Sequence, residues 1–131
     1  MAQLLVDTDI LIDVANNDAI AKPRLAYESQ TSILAVSTIT VMELTVGCRN
    51  KAELQALTRF LAQFQVLTLT SQVSERATQL LQDYFLSHGL LIADSLVAAT
   101  AIENQIPLLS KNQRDFRFIR ALNLLTYPDM P

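Results

Sequence analysis

Four carboxylates in this sequence keep poor company for a charge. Asp7 follows directly on the apolar run Leu4-Leu5-Val6, and Asp94 is the only charged residue between Gly89 and Ile102. Glu43 lies in Thr38-Ile39-Thr40-Val41-Met42-Glu43-Leu44-Thr45-Val46. On a helix it shares a face with Ile39 and Val46. Asp115 closes Ser110-Lys111-Asn112-Gln113-Arg114-Asp115. A buried, unpaired carboxylate is costly and tends to titrate to neutral. Gathered together, such acids repel one another unless a cation sits among them. All-oxygen donors without Cys or His suit Mg²⁺ or Mn²⁺. A site of that kind hydrolyses phosphodiesters by polarising a phosphate oxygen and activating water. Its metal also joins an acidic pocket to an anionic substrate.

Each acid also has a plainer reading. Glu43 can pack its stem and hold its head in water, and Asp94 can cap the start of its helix. Asp9 is suited to cap a helix over Ile10–Asn16, whereas Asp7 falls where a strand should still be buried. Asp115 can be a solvated loop acid. The other reactive residues offer less. His88 precedes Gly89 and reads as a helix-end residue, and Cys48 is alone, without a partner for a disulfide or a nucleophilic pair. Walker-loop and zinc spacings are absent from the sequence. Lys111, Arg114, Arg117 and Arg120 recur every third residue around Asp115, and Arg49 and Lys51 follow the Glu43 segment. They suit either an ordinary solvated surface or a rim that positions phosphates.

The elements that must position these residues follow from the hydrophobic pattern. Strands are expected at Gln3–Val6, Ser32–Ser37, Val66–Leu69, Ile106–Ser110 and Leu122–Thr126. Helices are expected from Ile10 to Asn16, after Ser37 to Val46, over Ala52–Phe64 and Ser71–Ser87, and from Ala93 to Asn104. A short helix starting near Pro23 and a helical or irregular stretch over Asn112–Arg120 complete the pattern. Alternating strands and helices predict a three-layer α/β/α sandwich around a mainly parallel sheet of four to five strands. In such sheets the crevice at the carboxyl ends of the strands is the usual binding site. Asp7 and Asp115 reach that edge from opposite ends of the chain.

The 131 residues fit a single domain spanning 1–131, and half of them are hydrophobic against 18% charged. No apolar run reaches the ~18 residues that span a bilayer. An acidic N-terminus and a lone cysteine point to a cytoplasmic, reducing setting. Ten Lys and Arg against thirteen Asp and Glu leave a net charge of −3. That argues against a protein that grips nucleic acid by overall charge, so a metal or a local basic patch is needed.

The segments resemble, in order, the motifs of PIN domains. Leu4-Leu5-Val6-Asp7-Thr8-Asp9 is similar to the family's opening, and Ser37 to Leu44 with Gly47 to its second motif. Asp94-Ser95-Leu96-Val97-Ala98-Ala99 and Leu108-Leu109-Ser110-Lys111-Asn112-Gln113-Arg114-Asp115-Phe116 are similar to the third and fourth. Ser110 stands where threonine is commoner. The resemblance runs from about Leu4 to Thr126, and the length is most like the VapC-type toxins of bacterial toxin–antitoxin pairs. It implies an RNA endonuclease using Mg²⁺ or Mn²⁺, a homodimer, and a small antitoxin partner. It also implies that Asp7, Glu43, Asp94 and Asp115 are catalytic metal-site acids, with Asp9, Ser110 and Asn112 as polar supports. Lys111, Arg114 and Arg117 are candidate RNA contacts.

Three rival classes remain at this point. Asp7-Thr8-Asp9 mimics the nucleophile motif of haloacid-dehalogenase-like phosphatases, which need a later lysine and a second acidic pair. A receiver domain would carry a phosphoacceptor aspartate after a middle strand, and Val66–Thr70 ends without one. A non-catalytic PIN-like scaffold would bind partners only.

Overall fold

In a computed structural model, which describes residues 2–130, strands and helices alternate along the chain. They are β1 (Ala2–Val6), α1 (Thr8–Ala15), α2 (Ala21–Glu28), β2 (Ser32–Ser37), α3 (Thr38–Val46), α4 (Lys51–Leu61), β3 (Gln65–Leu67), α5 (Ser71–His88), α6 (Ile92–Glu103), β4 (Leu108–Leu109) and α7 (Gln113–Phe116). Among the described residues four strands form one sheet in the order β3-β2-β1-β4, and every pairing is parallel.

Alternation along β1 builds the layers. Leu4 and Val6 face one side with Ile10, Leu11, Ala21, Leu25 and Val36, while Leu5 faces the other with Val73, Leu80, Val97, Ala98 and Phe116. One face of the sheet is therefore covered by α1 and α2, the other by α5, α6 and Phe116 of α7. Helix α3 touches both sides, through Ile39 on one and Val41 and Leu44 on the other. This is the expected sandwich.

Several boundaries differ from the sequence pattern. Strand β4 is two residues long, and the segment expected as a last strand, Leu122–Thr126, makes a single parallel bridge from Leu124 to Leu108. Helix α1 begins at Thr8, so its cap is Asp7 and not Asp9. Helix α6 is capped by the backbone of Leu91, with Asp94 inside its first turn. Val46 is 84% exposed, so the apolar face expected around Glu43 is only half formed.

Two details fix the frame around the site. Gly89 ends α5 with φ 68°, the left-handed conformation that glycine adopts without penalty, and turns the chain into α6. Arg24 on α2 is buried, donates to Glu28 Oε2 at 2.8 Å, and reaches the Asp129 carbonyl at 3.3 Å. It thereby ties the C-terminal segment to α2. Among the described residues no helix is long and apolar enough to cross a membrane.

Candidate active site

The strand order sets the place where acids can meet. From β1 the chain crosses to β2 on one side, while β4 lies on the other, so the sheet reverses direction of growth at β1. A crevice opens at the carboxyl ends of strands flanking such a point. Val6 and Leu109 are register partners, and the Asp7 N–H donates to the Leu109 carbonyl at 2.9 Å. The residues after them, Asp7 and Ser110, are therefore forced side by side.

Asp7 is 5% exposed, and its carboxylate has built-in partners. Ser110 Oγ donates to Oδ2 at 2.8 Å, and the Thr8 N–H donates to Oδ1 at 2.8 Å. Burial nonetheless pushes the Asp7 carboxyl up to about 7, helped by the charges of Asp9 and, less, Asp94. The two donors oppose this without cancelling it. Asp9 is held by its own Ile10 N–H at 2.7 Å and by the Asn112 N–H at 3.1 Å. Its carboxyl is also raised, again mainly by burial. Asn112 thus supports Asp9 through its backbone, and its N–H also lies 3.0 Å from Ser110 Oγ.

Asp94 enters from α6 and is half-buried. Burial, followed by the charges of Asp115, Glu43 and Asp9, pushes its carboxyl up to about 6. The capping alternative for Asp94 fails, since α6 has no side-chain cap. Glu43 and Asp115 are exposed, on α3 and α7. Glu43 Oε1 accepts a hydrogen bond from Thr8 Oγ1 at 2.7 Å. At this end of the sheet Asp94 thus feels the charges of Asp115, Glu43 and Asp9, and Asp7 those of Asp9 and Asp94. Among the described residues no three of them close on a single point as a ready cage.

The donor chemistry fits a hard divalent cation. All the donors are carboxylate oxygens, and two of them, Asp7 and Asp94, are held in a surrounding that penalises their negative charge. A cation removes that penalty. Lys111, expected at the rim, pairs with Asp13 of α1 at 3.0 Å. Arg114 and Arg117 are exposed beside Asp115. Two supports carry no signal in the sequence pattern. Thr8 donates from its hydroxyl to Glu43, and Gln113 Nε2 donates to the carbonyls of Ser110 (2.8 Å) and Leu125 (3.0 Å), clamping the loop after β4.

A family model described as the PIN domain matches residues 4–122. The chain belongs to the PIN-domain family. As a PIN domain it is 32% identical over 114 residues to "Ribonuclease VapC19" of Mycobacterium tuberculosis, covering 86% of this chain and 90% of that one. It is 28% identical over 128 residues to "Ribonuclease VapC1" of Methanocaldococcus jannaschii, covering 96% and 88%. Among solved structures, a toxin–antitoxin complex from Klebsiella pneumoniae superposes with a TM-score of 0.79 at 29% identity, covering 98% of this chain and 100% of that one. Membership in this family sets aside the phosphatase reading of Asp7-Thr8-Asp9 and the receiver-domain reading.

Proposed function

We propose that this PIN domain is a metal-dependent endoribonuclease that acts in the cytoplasm as the toxin of a type II toxin–antitoxin pair. The observation that carries the proposal is the convergence of Asp7, Asp9, Glu43, Asp94 and Asp115 at the switch point of a parallel sheet, in a chain whose relatives bear ribonuclease names. Asp7 and Asp94 would hold Mg²⁺ or Mn²⁺, with Glu43 and Asp115 approaching from α3 and α7. When bound, the cation supplies Lewis acidity at a phosphate oxygen and lowers the pKa of water. Ser110 and the Thr8 N–H keep the Asp7 oxygens in place, and Asn112 and Ile10 do the same for Asp9 through their N–H groups. Lys111, Arg114 and Arg117 would position the RNA backbone, offsetting the net charge of −3 locally.

The Klebsiella structure is of a toxin–antitoxin complex, and by that likeness the partner here is a small antitoxin. Exposed apolar side chains such as Phe85, Leu86, Leu91 and Ile92 offer surface for protein partners. Assembly into a homodimer belongs to the same proposal, and light scattering should return twice the mass of the chain.

The test of the activity is direct. Purified protein should cleave RNA in Mg²⁺ or Mn²⁺, stop in EDTA and resume on excess Mn²⁺. RNA left intact at every metal concentration would overturn the enzyme reading and leave a binding scaffold.

A further inference from the structure

Thr8 sits between Asp7 and Asp9, yet its hydroxyl is turned away from both. Oγ1 lies 2.7 Å from Glu43 Oε1 and 3.0 Å from Thr40 Oγ1. A hydroxyl has one proton and two lone pairs. The shorter contact takes the proton, with Thr8 Oγ1 donating to Glu43 Oε1. Thr40 Oγ1, on a fully buried residue, must then donate to Thr8. The result is a directed chain, Thr40 O–H to Thr8 Oγ1 and Thr8 O–H to Glu43.

The backbone of the same residue does a second job, because the Thr8 N–H donates to Asp7 Oδ1 at 2.8 Å. One residue thereby links the carboxylate that ends β1 to the carboxylate on α3. Glu43 needs such a link. It is exposed on α3, and Met42 and Val46 beside it are exposed too, so packing does not fix its rotamer. A free glutamate side chain loses considerable rotamer entropy on being ordered. A hydrogen bond from an already fixed neighbour lowers that cost when a ligand arrives.

We infer that Thr8 is a positioning residue that holds Glu43 toward the other acids, so that the donor set is partly assembled before a cation binds. The inference rests on the metal-site reading given above. In this role the Thr8 hydroxyl acts through Glu43.

Titration of the protein with Mn²⁺, followed by the electron paramagnetic resonance signal of free Mn²⁺, tests this without RNA. Thr8→Val keeps the shape and removes the hydroxyl. It should weaken Mn²⁺ binding by roughly tenfold, the fold-change that loss of one hydrogen bond to a charged group represents. Thr8→Ser should bind as the parent does. In a Glu43→Ala background, Thr8→Val should have no further effect, because the acceptor of the hydroxyl is gone and the backbone N–H to Asp7 is present in both. Thr40→Val reads the same chain one link earlier, should weaken binding by a smaller factor, and carries the test if Thr8→Val does not fold. Undiminished Mn²⁺ binding by Thr8→Val, or an equal loss with and without Glu43, would overturn the positioning role. Failure of the parent protein to bind Mn²⁺ would overturn the metal reading itself, and this inference with it.

Discussion

Asp94 occupies the third position of α6, where a carboxylate ordinarily gains from the positive end of the helix. Here burial and three neighbouring acids outweigh that gain and push its carboxyl up to about 6. Its charged form is therefore unfavourable for the metal-free fold. Asp94→Asn removes the charge and keeps the shape. It should raise the unfolding midpoint in EDTA at pH 7.5, seen by circular dichroism. It should also lower RNA cleavage by at least roughly 100-fold, the upper end of what losing even an outer partner of a metal ligand costs. Unchanged cleavage would remove Asp94 from the site. The oddness of Asp94 was legible because its sequence neighbours are apolar for several residues on either side. Three other residues show where that legibility stops. The sequence pattern gives the cap of α1 to Asp9, yet Asp7 takes it because the helix starts directly after the strand. Thr8 gave no local signal at all, since its acceptor lies 35 residues away on α3.

The elements were easier to read than their ends. Long amphipathic α5 and apolar α6 fall within a residue or two of the pattern, because their cores, Val73, Ala77 and Leu80 against Val97, Ala98 and Ala101, pack on one another. The expected last strand does not form because the edge it would pair with is too short. β4 offers only Leu108 and Leu109, with Pro107 before it and the Ser110 turn after it. The segment through Leu124 can satisfy only the Leu108 N–H and carbonyl, and stops at one bridge. The two glycines make a sharper comparison, since both follow helices and both read as stops. Gly47 has φ −78°, an ordinary helical value, and an added Cβ would sit 3.4 Å from the Leu44 carbonyl oxygen. Gly89 has φ +68°, with open space around a Cβ. The penalty at Gly89 is thus one of backbone conformation and not of crowding. Gly89→Ala should cost about 1 kcal/mol in urea unfolding, the low end of what a left-handed residue with a Cβ pays. Gly47→Ala should stay within about 0.5 kcal/mol. Equal losses at the two positions would contradict this account of how α5 turns into α6.

Across the whole molecule, the acids at the sheet edge set how stability responds to pH. Asp7 and Asp94 have an ordinary value of 3.8 in an unfolded chain and are raised to about 7 and about 6 in the metal-free fold. Between those limits the native state binds more protons than the unfolded state. The slope of unfolding free energy with pH is then negative, so stability is greatest at the acid end of this window and is lost as pH rises through it. The exposed acids whose carboxyls are lowered, Asp18 and Glu53, have ordinary values of 3.8 and 4.5 and act mainly below pH 5, with the opposite sign. They do not mask the effect. In EDTA the unfolding midpoint should therefore fall between pH 5 and pH 7.5. Saturating Mn²⁺ should reverse the trend, because a cation favours the charged carboxylates and stabilises whichever state binds it. Its stabilisation should be larger at pH 7.5, where the acids are ready to bind, than at pH 5, where protons must first leave. Differential scanning calorimetry at the two pH values, with and without Mn²⁺, measures all four midpoints. If Mn²⁺ raised the midpoint equally at both, the raised carboxyls would have no part in holding it, and the acid cluster would lose its claim as the metal's seat.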